Sequence, residues 1–470
     1  MRKIAVALGI LLIGAGLVSV AYSCLPEIRE SISFNQSASY YISSDEPQDK
    51  LTFNIQQIPE EASYIVELTA PAGIASQQQI GVMAEIQTIG AEITGTYDQT
   101  VNAIEVTAGS DEILTVATIP QVRRIYRNEL LDTTITGFGD VWPTFKMLMD
   151  DEGSIAYTGR GIMVFVIDTG IDASHPALQR NGMSIVKDTY TIFDTPFTHW
   201  HGTLCASIIA SNDPEIGIGV APDVDLGNVC VFNSNGQAKL GDLLKGIEYV
   251  ARWHRMHDQF VIASCSWGIE HDGWKCGGWR DPCIICEAIN GLSDVGIPVV
   301  VAAGNSGPYE TTVNSPGQAY KCLSVGAVDA SNAIASFSSR GPTTDGQRKP
   351  DVVAYGVSIT GAAPDGRTIT ASGTSFATPF VTGVLAKLAE KYGTSYTPMQ
   401  YYDAIRQGAI DLGDPGYDYV YGYGMVNVTN AFSSMNEMTP METYYSAGVV
   451  LTLIGLLVTA SPLMVRRKYG

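Results

Sequence analysis

Hydrophobic and polar positions follow two patterns along the chain, and the first occupies residues 51–132. Short alternating segments typical of strands are separated there by segments with the repeat of amphipathic helices. The predicted strands are 64–69, 103–107 and 122–127, and the predicted helices are 75–92 and 112–119. This order predicts a small α+β domain.

The second pattern runs from residue 138 to 435 and consists of short hydrophobic runs separated by longer helical stretches. The runs are 162–168, 224–232, 260–268, 297–305 and 321–328. Continuous Val, Ile and Ala runs joined by crossovers indicate an α/β domain, with a parallel sheet covered by helices on both faces. Asp168, Ser266, Gly268 and Asn305 lie at the ends of such runs, where open parallel sheets place their functional sites.

The N-terminus has the pattern of an export signal. A basic start at Arg2 and Lys3 precedes the uncharged run 4–22, which ends in small residues before Cys24. This predicts a secretory signal peptide at 1–23, followed by a polar leader at 24–50. The alternative is an uncleaved anchor, because the run is nearly long enough to span a bilayer. A lipidated Cys24 fits less well, because Tyr22 departs from the usual pattern.

The C-terminus has the pattern of a membrane anchor. Residues 447–465 carry no charge and are followed at once by Arg466, Arg467 and Lys468. We expect a linker at 436–446, a transmembrane helix at 447–465 and a cytoplasmic tail at 466–470. The basic cluster places the rest of the chain on the extracellular face of the membrane.

Composition narrows the classes of function. With 470 residues the chain is too long for one ordinary domain, and its 45% hydrophobic residues exclude a disordered protein. Its 28 basic and 48 acidic residues give a net charge of −20. Such a charge argues against nucleic acid and anionic lipid surfaces as partners, because both need a basic footprint.

Three polar residues form a candidate catalytic set. Taken singly, Asp168 after a strand, His201 at a helix start and Ser375 opening a helix are commonplace turn or capping residues. Together they supply what a serine nucleophile needs, namely a histidine base and a carboxylate that orients it. Asn305 follows a buried strand, from which its amide could donate to an oxyanion.

At these residues the sequence resembles the subtilisin-like serine proteases. The motifs VIDTGID, HGT, SWG, AAGNSG, ASFSSRGP, KPDVV, GTSFATP and YGYGMVN occur in that family's order across nearly 300 residues. The resemblance implies that Asp168 orients, His201 acts as general base and then acid, Ser375 attacks, and Asn305 stabilises the oxyanion.

The resemblance also implies how substrate and propeptide bind. A peptide would add as a strand along Ser266, Trp267 and Gly268, opposite Ala302, Ala303 and Gly304. Trp267 would shape the specificity pocket, or would simply be a core aromatic. Residues 51–132 resemble the family's ferredoxin-like propeptide, which acts as inhibitor and chaperone, with autocleavage expected between about residues 128 and 139.

Several positions depart from the family pattern. Trp200 and Leu204 replace the usual Gly and His around His201, and Cys205 resembles the buried thiol of the proteinase K-like branch. Ala177 stands where many members have a calcium-ligating Asp. We expect that no cofactor is required. Calcium remains a candidate structural ion with unknown ligands, although one usual ligand position is Ala177.

The eight cysteines of the chain suggest disulfides, because an exported protein meets an oxidising environment. The pairing of Cys230, Cys265, Cys276, Cys283, Cys286 and Cys322 is left open by the sequence. Residues 269–286 read as an insertion, in which His271, Cys276, Cys283 and Cys286 could form a zinc site. We favour a disulfide within this insertion, given the predicted export.

The sequence thus predicts a secreted, membrane-tethered serine endopeptidase made as a self-processed zymogen. Its partners would be protein or peptide substrates, its own propeptide and the membrane. One alternative is a catalytically silent, subtilisin-like binding module at the cell surface, although the intact set of Asp168, His201, Asn305 and Ser375 argues against it. Another is a convertase that processes few partners, and the sequence does not separate it from a broad protease.

Overall fold

The computed structural model describes residues 50–53, 61–72, 76–131, 156–269, 276 and 282–440. The predicted signal peptide, transmembrane helix and cytoplasmic tail lie outside the described residues, as do most of the leader and of the expected autocleavage window. Within the described ranges, no helix combines the length and hydrophobicity needed to cross a bilayer.

The strands are β1 (Ala62–Leu68), β2 (Glu92–Tyr97), β3 (Ala103–Ala108), β4 (Val122–Arg127), β5 (Leu130–Leu131), β6 (Ile162–Asp168), β7 (Gln179–Arg180), β8 (Met183–Ser184), β9 (Val186–Thr191), β10 (Asn212–Asp213), β11 (Gly217–Ile218), β12 (Asp225–Cys230), β13 (Ala238–Lys239), β14 (Phe260–Cys265), β15 (Val299–Ala302), β16 (Leu323–Val328), β17 (Val352–Tyr355), β18 (Ile359–Ala363) and β19 (Arg367–Ala371). The helices are α1 (Ser76–Ile89), α2 (Ser110–Ala117), α3 (His201–Ala210), α4 (Leu240–Met256), α5 (Ile284–Asp294), α6 (Thr374–Tyr392), α7 (Pro398–Gln407) and α8 (Val428–Glu437), with short 3₁₀ turns at Pro176–Leu178 and Gly393–Ser395.

The upstream unit is an antiparallel sheet with the strand order β2-β3-β1-β4 and two helices. Its element order, βαββαβ, is the ferredoxin-like arrangement. The sequence pattern predicted β1, β3 and β4 but missed β2, whose burial alternates weakly and whose residues are mostly polar. The first helix ends at Ile89 because Gly90 adopts a left-handed backbone conformation, with φ of +106°.

The larger domain is built on seven parallel strands in the order β17-β16-β15-β14-β6-β12-β9. Alternate residues of β6 face two cores. Val164 and Val166 belong to the core that includes α3 and α6, whereas Phe165 and Ile167 belong to the core that includes α4 and α5. The predicted α/β fold, a parallel sheet with helices on both faces, is therefore confirmed, and the subtilisin-like order of its motifs follows these strands.

The upstream unit packs on the α4 and α5 face of the larger domain. Ile65, Tyr97 and Tyr126 of that unit lie in the same hydrophobic cluster as residues of α4 and α5. The two backbones approach closely at Gly291 of α5, where an added Cβ would lie 2.2 Å from the backbone oxygen of Thr100. The helices of the larger domain are thus shaped to accept the backbone of the upstream unit.

The folded chain continues beyond the predicted domain end at residue 435. Helix α8 ends at Glu437, and Met435 is fully buried. The carbonyl oxygens of Met438 and Thr439 accept hydrogen bonds from the side chains of Tyr396 and Gln400. Residues through 439 therefore belong to the packed domain.

Candidate active site

Strand β6 ends at Asp168, which lies beside His201, the first residue of α3. The two carboxylate oxygens of Asp168 lie 2.8 and 3.0 Å from His201 Nδ1, and both residues are at most 1% exposed. The neighbouring Thr169 hydroxyl accepts a hydrogen bond from the Gly202 N–H at 3.0 Å. An added Cβ on Gly202 would lie 2.4 Å from the Gly170 oxygen, so the close approach of α3 to β6 requires glycine at this position.

Ser375 lies in the first turn of α6 and is 2% exposed. Helix α6 packs against α3. The Cys205 thiol donates to the Ser375 carbonyl at 3.5 Å, and the rings of His201 and Phe376 lie 5.3 Å apart between centroids. His201 Nε2 is buried and makes no hydrogen bond to the residues that the structure describes. The nitrogen that would act as base thus has no competing partner there, and hydrogen bonds of this kind commonly tighten only with substrate bound.

The charge of Asp168 governs the basicity of His201. Burial is the largest single influence and lowers the pKa of His201, but the charge and hydrogen bonds of Asp168, together with the contact of Cys205, outweigh it and raise the pKa to about 10. Burial raises the pKa of the Cys205 thiol, which is therefore uncharged at neutral pH. Asp168 is accordingly the partner that holds the imidazole orientation and favours its protonated form.

The side chain of Asn305 is anchored by the residue before Ser375. The Thr374 N–H and hydroxyl both donate to Asn305 Oδ1 at 2.9 Å, and Gly304 N–H donates to the same hydroxyl at 3.3 Å. With its oxygen held by two donors, the amide group of Asn305 is oriented relative to the start of α6. Asn305 and the N-terminus of α6 thus form one hydrogen-bonded assembly.

The two segments expected to bind substrate follow adjacent parallel strands, β14 and β15. Ser266, Trp267 and Gly268 are buried, and so are Ala302, Ala303 and Gly304. The Trp267 ring is fully buried, and its Nε1–H donates to the Ile167 carbonyl at 2.9 Å. Trp267 therefore packs as a core aromatic against the end of β6, which leaves only its backbone for the predicted edge.

The family departures surround His201. Trp200 lies 5.8 Å from the His201 ring and 6.3 Å from Phe376, between ring centroids, so its indole covers the start of both α3 and α6. Leu204 and Ala177 are fully buried in the core. Cys205 Sγ lies 3.9 Å from His201 Nδ1, the same ring nitrogen that Asp168 contacts.

All seven cysteines in the described part of the chain are free and buried. The disulfide expected within residues 269–286 is not present among them, since Cys276 Sγ and Cys286 Sγ lie 3.6 Å apart, well beyond a bond of about 2.05 Å. The reason is that three thiols, those of Cys276, Cys283 and Cys286, converge on one point instead of pairing.

The order of the site residues and their positions on the sheet match a known family. The subtilase family matches residues 159–424, which are more than half of the 470 residues. The chain belongs to the subtilase family. Serine-type peptidase is therefore the enzyme class of this domain, and subtilases need no organic cofactor.

Three curated subtilases illustrate the extent of the similarity. Serine protease AprX of Bacillus subtilis is 32% identical over 298 residues, covering 58% of this chain and 66% of AprX. Subtilisin E of the same organism is 36% identical over 282 residues, covering 59% of this chain and 67% of subtilisin E. The chain thus spans about two thirds of the length of these relatives.

M-protease of Shouchella clausii is 26% identical over 402 residues, covering 85% of this chain and 96% of M-protease. Residues 159–470 are only 312 of 470 residues, or 66%, so this similarity must include part of the chain before residue 159.

Sequence reasoning missed several residues that shape this subtilase site. Thr374 anchors Asn305, Thr169 fixes the start of α3, and Glu248 of α4 holds the upstream unit. Thr374 lies in the GTS motif and Thr169 in VIDTGID, and a hydroxyl beside a helix start or a turn often bonds to backbone N–H groups. Glu248 had no such signal, because its partners are more than 140 residues away.

Proposed function

We propose that this subtilase is an endopeptidase in which Asp168, His201 and Ser375 form the catalytic triad. One observation carries the proposal. His201 is held by a buried carboxylate at 2.8 Å, at the start of a helix that packs against the first turn of the helix bearing Ser375. A serine hydroxyl needs such a base, and the base needs such a carboxylate, to attack an amide near neutral pH.

In the proposed reaction His201 Nε2 removes the proton of Ser375 Oγ while that oxygen attacks the carbonyl carbon of the peptide. The same proton then passes from His201 to the nitrogen of the leaving amine as the peptide bond breaks. Water hydrolyses the acyl-enzyme by the same route and restores Ser375. Asp168 remains ionised and stabilises the imidazolium that forms in both halves.

The oxyanion of the tetrahedral intermediate would be stabilised by the amide of Asn305 and by the N-terminus of α6. The two hydrogen bonds from Thr374 to Asn305 Oδ1 support this role, because they direct the amide nitrogen away from Thr374. The helix dipole of α6 adds favourable potential at the same place. Substrate would add as a strand between the backbones of Ser266–Gly268 and Ala302–Gly304.

We further propose that residues 51–132 are an inhibitory propeptide and folding chaperone. Its support is the charged contact between Glu248 and a turn of the upstream unit, where the carboxylate accepts from the backbone N–H groups of Asp98, Gln99 and Thr100 at 2.9, 2.7 and 3.2 Å. Tyr97 and Asn128 also bond to Gly241 at the start of α4.

The end of the upstream unit also contacts the larger domain. Leu130–Leu131 pair antiparallel with Ala238–Lys239, so the tail leaves the unit as a strand along this domain. A tail that remains bound after cleavage would block the cleft until the unit is released. Secretion through residues 1–23 and tethering through residues 447–465 complete the proposal, and these rest on the sequence pattern.

The test is to express the full chain, the Ser375→Ala variant and the control Ser433→Ala, whose serine is exposed on α8. We expect the wild type and the control to mature and to react with an active-site serine probe. Ser375→Ala should stay unprocessed, unlabelled and inactive, apart from the residual catalysis that a damaged triad retains.

Maturation of purified Ser375→Ala would refute self-processing. A folded wild-type chain that neither reacts with the probe nor cleaves an unstructured protein would instead support the silent binding module.

A further inference from the structure

Three thiols outside the catalytic site meet at one point of the larger domain. Cys276, Cys283 and Cys286 are 1%, 2% and 0% exposed, and their sulfur atoms all lie within 4.8 Å of one another. The other described cysteines do not share this arrangement; Cys322, for example, bonds to the Ala319 carbonyl. The three residues therefore differ from cysteines that merely fill the core.

The spacing of the three sulfur atoms fits a tetrahedral metal. With a Zn–S distance of about 2.3 Å, two thiolates on one zinc ion lie about 3.8 Å apart. Cys276 Sγ and Cys286 Sγ are 3.6 Å apart. A disulfide would use only two of the three sulfurs at about 2.05 Å and would leave the third thiol buried beside it.

The backbone around the cluster is arranged as it is at metal–thiolate sites. Cys283 is the N-cap of α5 and Cys286 lies in its first turn, so the C-x-x-C spacing brings both sulfurs together. The Cys283 N–H donates to Cys276 Sγ at 3.3 Å. Ser315 Oγ lies 3.3 Å from Cys283 Sγ and 3.4 Å from Cys286 Sγ. The backbone N–H of Cys283 is a donor that stabilises negative charge on the sulfur of Cys276, and the Ser315 hydroxyl is a polar neighbour of the other two sulfurs.

We propose that Cys276, Cys283 and Cys286 are three ligands of a structural zinc site. The site would join parts of the domain that are distant in sequence. Ile269, just after the predicted substrate edge, bonds to Ser315, and the Thr344 hydroxyl bonds to the Cys276 carbonyl at 2.7 Å. Zinc would thus fix Cys276 to α5, close to Ser315, which bonds to the substrate-edge neighbour Ile269.

The first experiment measures bound metal in the full chain carrying Ser375→Ala, which prevents self-digestion. We expect about one zinc per chain by elemental mass spectrometry after dialysis. Cys276→Ser and Cys286→Ser should each lower the zinc content at least about tenfold, since each removes one of three ligands. Cys205→Ala is the matched control, because Asp168, His201 and Cys205 form a second group of potential ligands. Zinc that disappears with Cys205→Ala and persists in the other variants would overturn the assignment.

A second measurement does not depend on the cysteine variants folding. Native protein is alkylated with and without zinc, and the modified cysteines are identified by mass spectrometry. Zinc should protect Cys276, Cys283 and Cys286 at least about tenfold and leave the reactivity of Cys322 unchanged. Equal reactivity in both conditions would overturn the proposal. A disulfide would also overturn the proposal. It would be revealed if, in denaturant, two of the three cysteines could be alkylated only after reduction.

Discussion

Removal of the Glu248 carboxylate should weaken the hold of the larger domain on the upstream unit without harming catalysis. In the structure this carboxylate accepts four hydrogen bonds from that unit, three from backbone N–H groups and one from the Thr100 hydroxyl at 3.1 Å. Glu248→Ala leaves these donors without their partner, and those of Thr100 are buried.

The magnitude follows from these contacts. Hydrogen bonds to a charged acceptor contribute about 1.5–3 kcal/mol each, but bonds that share one carboxylate do not add, and the donors of Asp98 and Gln99 are partly accessible to water. We therefore expect a loss of about 2–4 kcal/mol in binding, equivalent to about a 30- to 1,000-fold rise in the inhibition constant.

The assay adds separately produced residues 51–132 to the mature enzyme and measures inhibition of peptide hydrolysis. Glu248→Gln keeps the shape and removes the charge, so it should fall between the wild type and Glu248→Ala. Arg252→Ala is the matched control on the same helix, because its contact with Glu248 is long, at 4.0 Å, and its side chain is 55% exposed. An inhibition constant for Glu248→Ala within twofold of the wild type would refute the reasoning.

Three further outcomes are expected. Asn305→Ala should lower kcat by about 10²- to 10³-fold with little change in KM, which is the loss known for an oxyanion donor in a subtilisin. Thr374→Val should cause a smaller loss of kcat, because one of the two hydrogen bonds that anchor Asn305 remains. A rise in KM alone would assign Asn305 to ground-state binding. Because Asp168 raises the pKa of His201, and only neutral His201 is a base, kcat/KM should rise with pH through a midpoint above 6.5. Asp168→Asn should lower that midpoint and reduce kcat by about 10⁴-fold, and an unshifted midpoint would contradict the role of Asp168. If residues 447–465 span the membrane, carbonate washing should leave the mature enzyme in the membrane fraction and truncation after Pro440 should release it active, whereas a soluble full-length mature chain would exclude the anchor.

The parts of the fold that the sequence predicted are those whose local pattern and tertiary environment agree. The run at 162–168 is buried on both faces of the sheet, and its continuous hydrophobicity predicts such a buried strand. The helix expected at Ser375 is present as α6 and ends at Tyr392, where the next residue, Gly393, has a φ of +55° that glycine adopts readily. Strand β2 was missed because it is half exposed and polar, so pairing with β3 decides its structure more than its own residues do.

Within the site, sequence motifs indicated which residues meet but not how their side chains are used. SWG placed Trp267 at a strand end without showing that its ring turns into the core. For the three clustered cysteines the sequence favours a disulfide over a metal, but spacing alone does not give the sulfur-to-sulfur distances that separate the two. Thr374 and Glu248 act through contacts with residues far away in the chain, and a single sequence carries no record of such contacts.

Gly291 in the interior of α5 shows how contact with the upstream unit can constrain the sequence, and so the stability, of the larger domain. Glycine at such a position costs a helix about 0.5–1 kcal/mol relative to alanine. Its Cβ is excluded by the Thr100 backbone, which belongs to the upstream unit. If that unit is removed during maturation, the finished enzyme keeps a weakened helix for a partner that it no longer has. Selection for efficient folding would then oppose selection for durability at this residue, and stabilising the mature domain by Gly291→Ala would be possible only at the expense of the step that produces it.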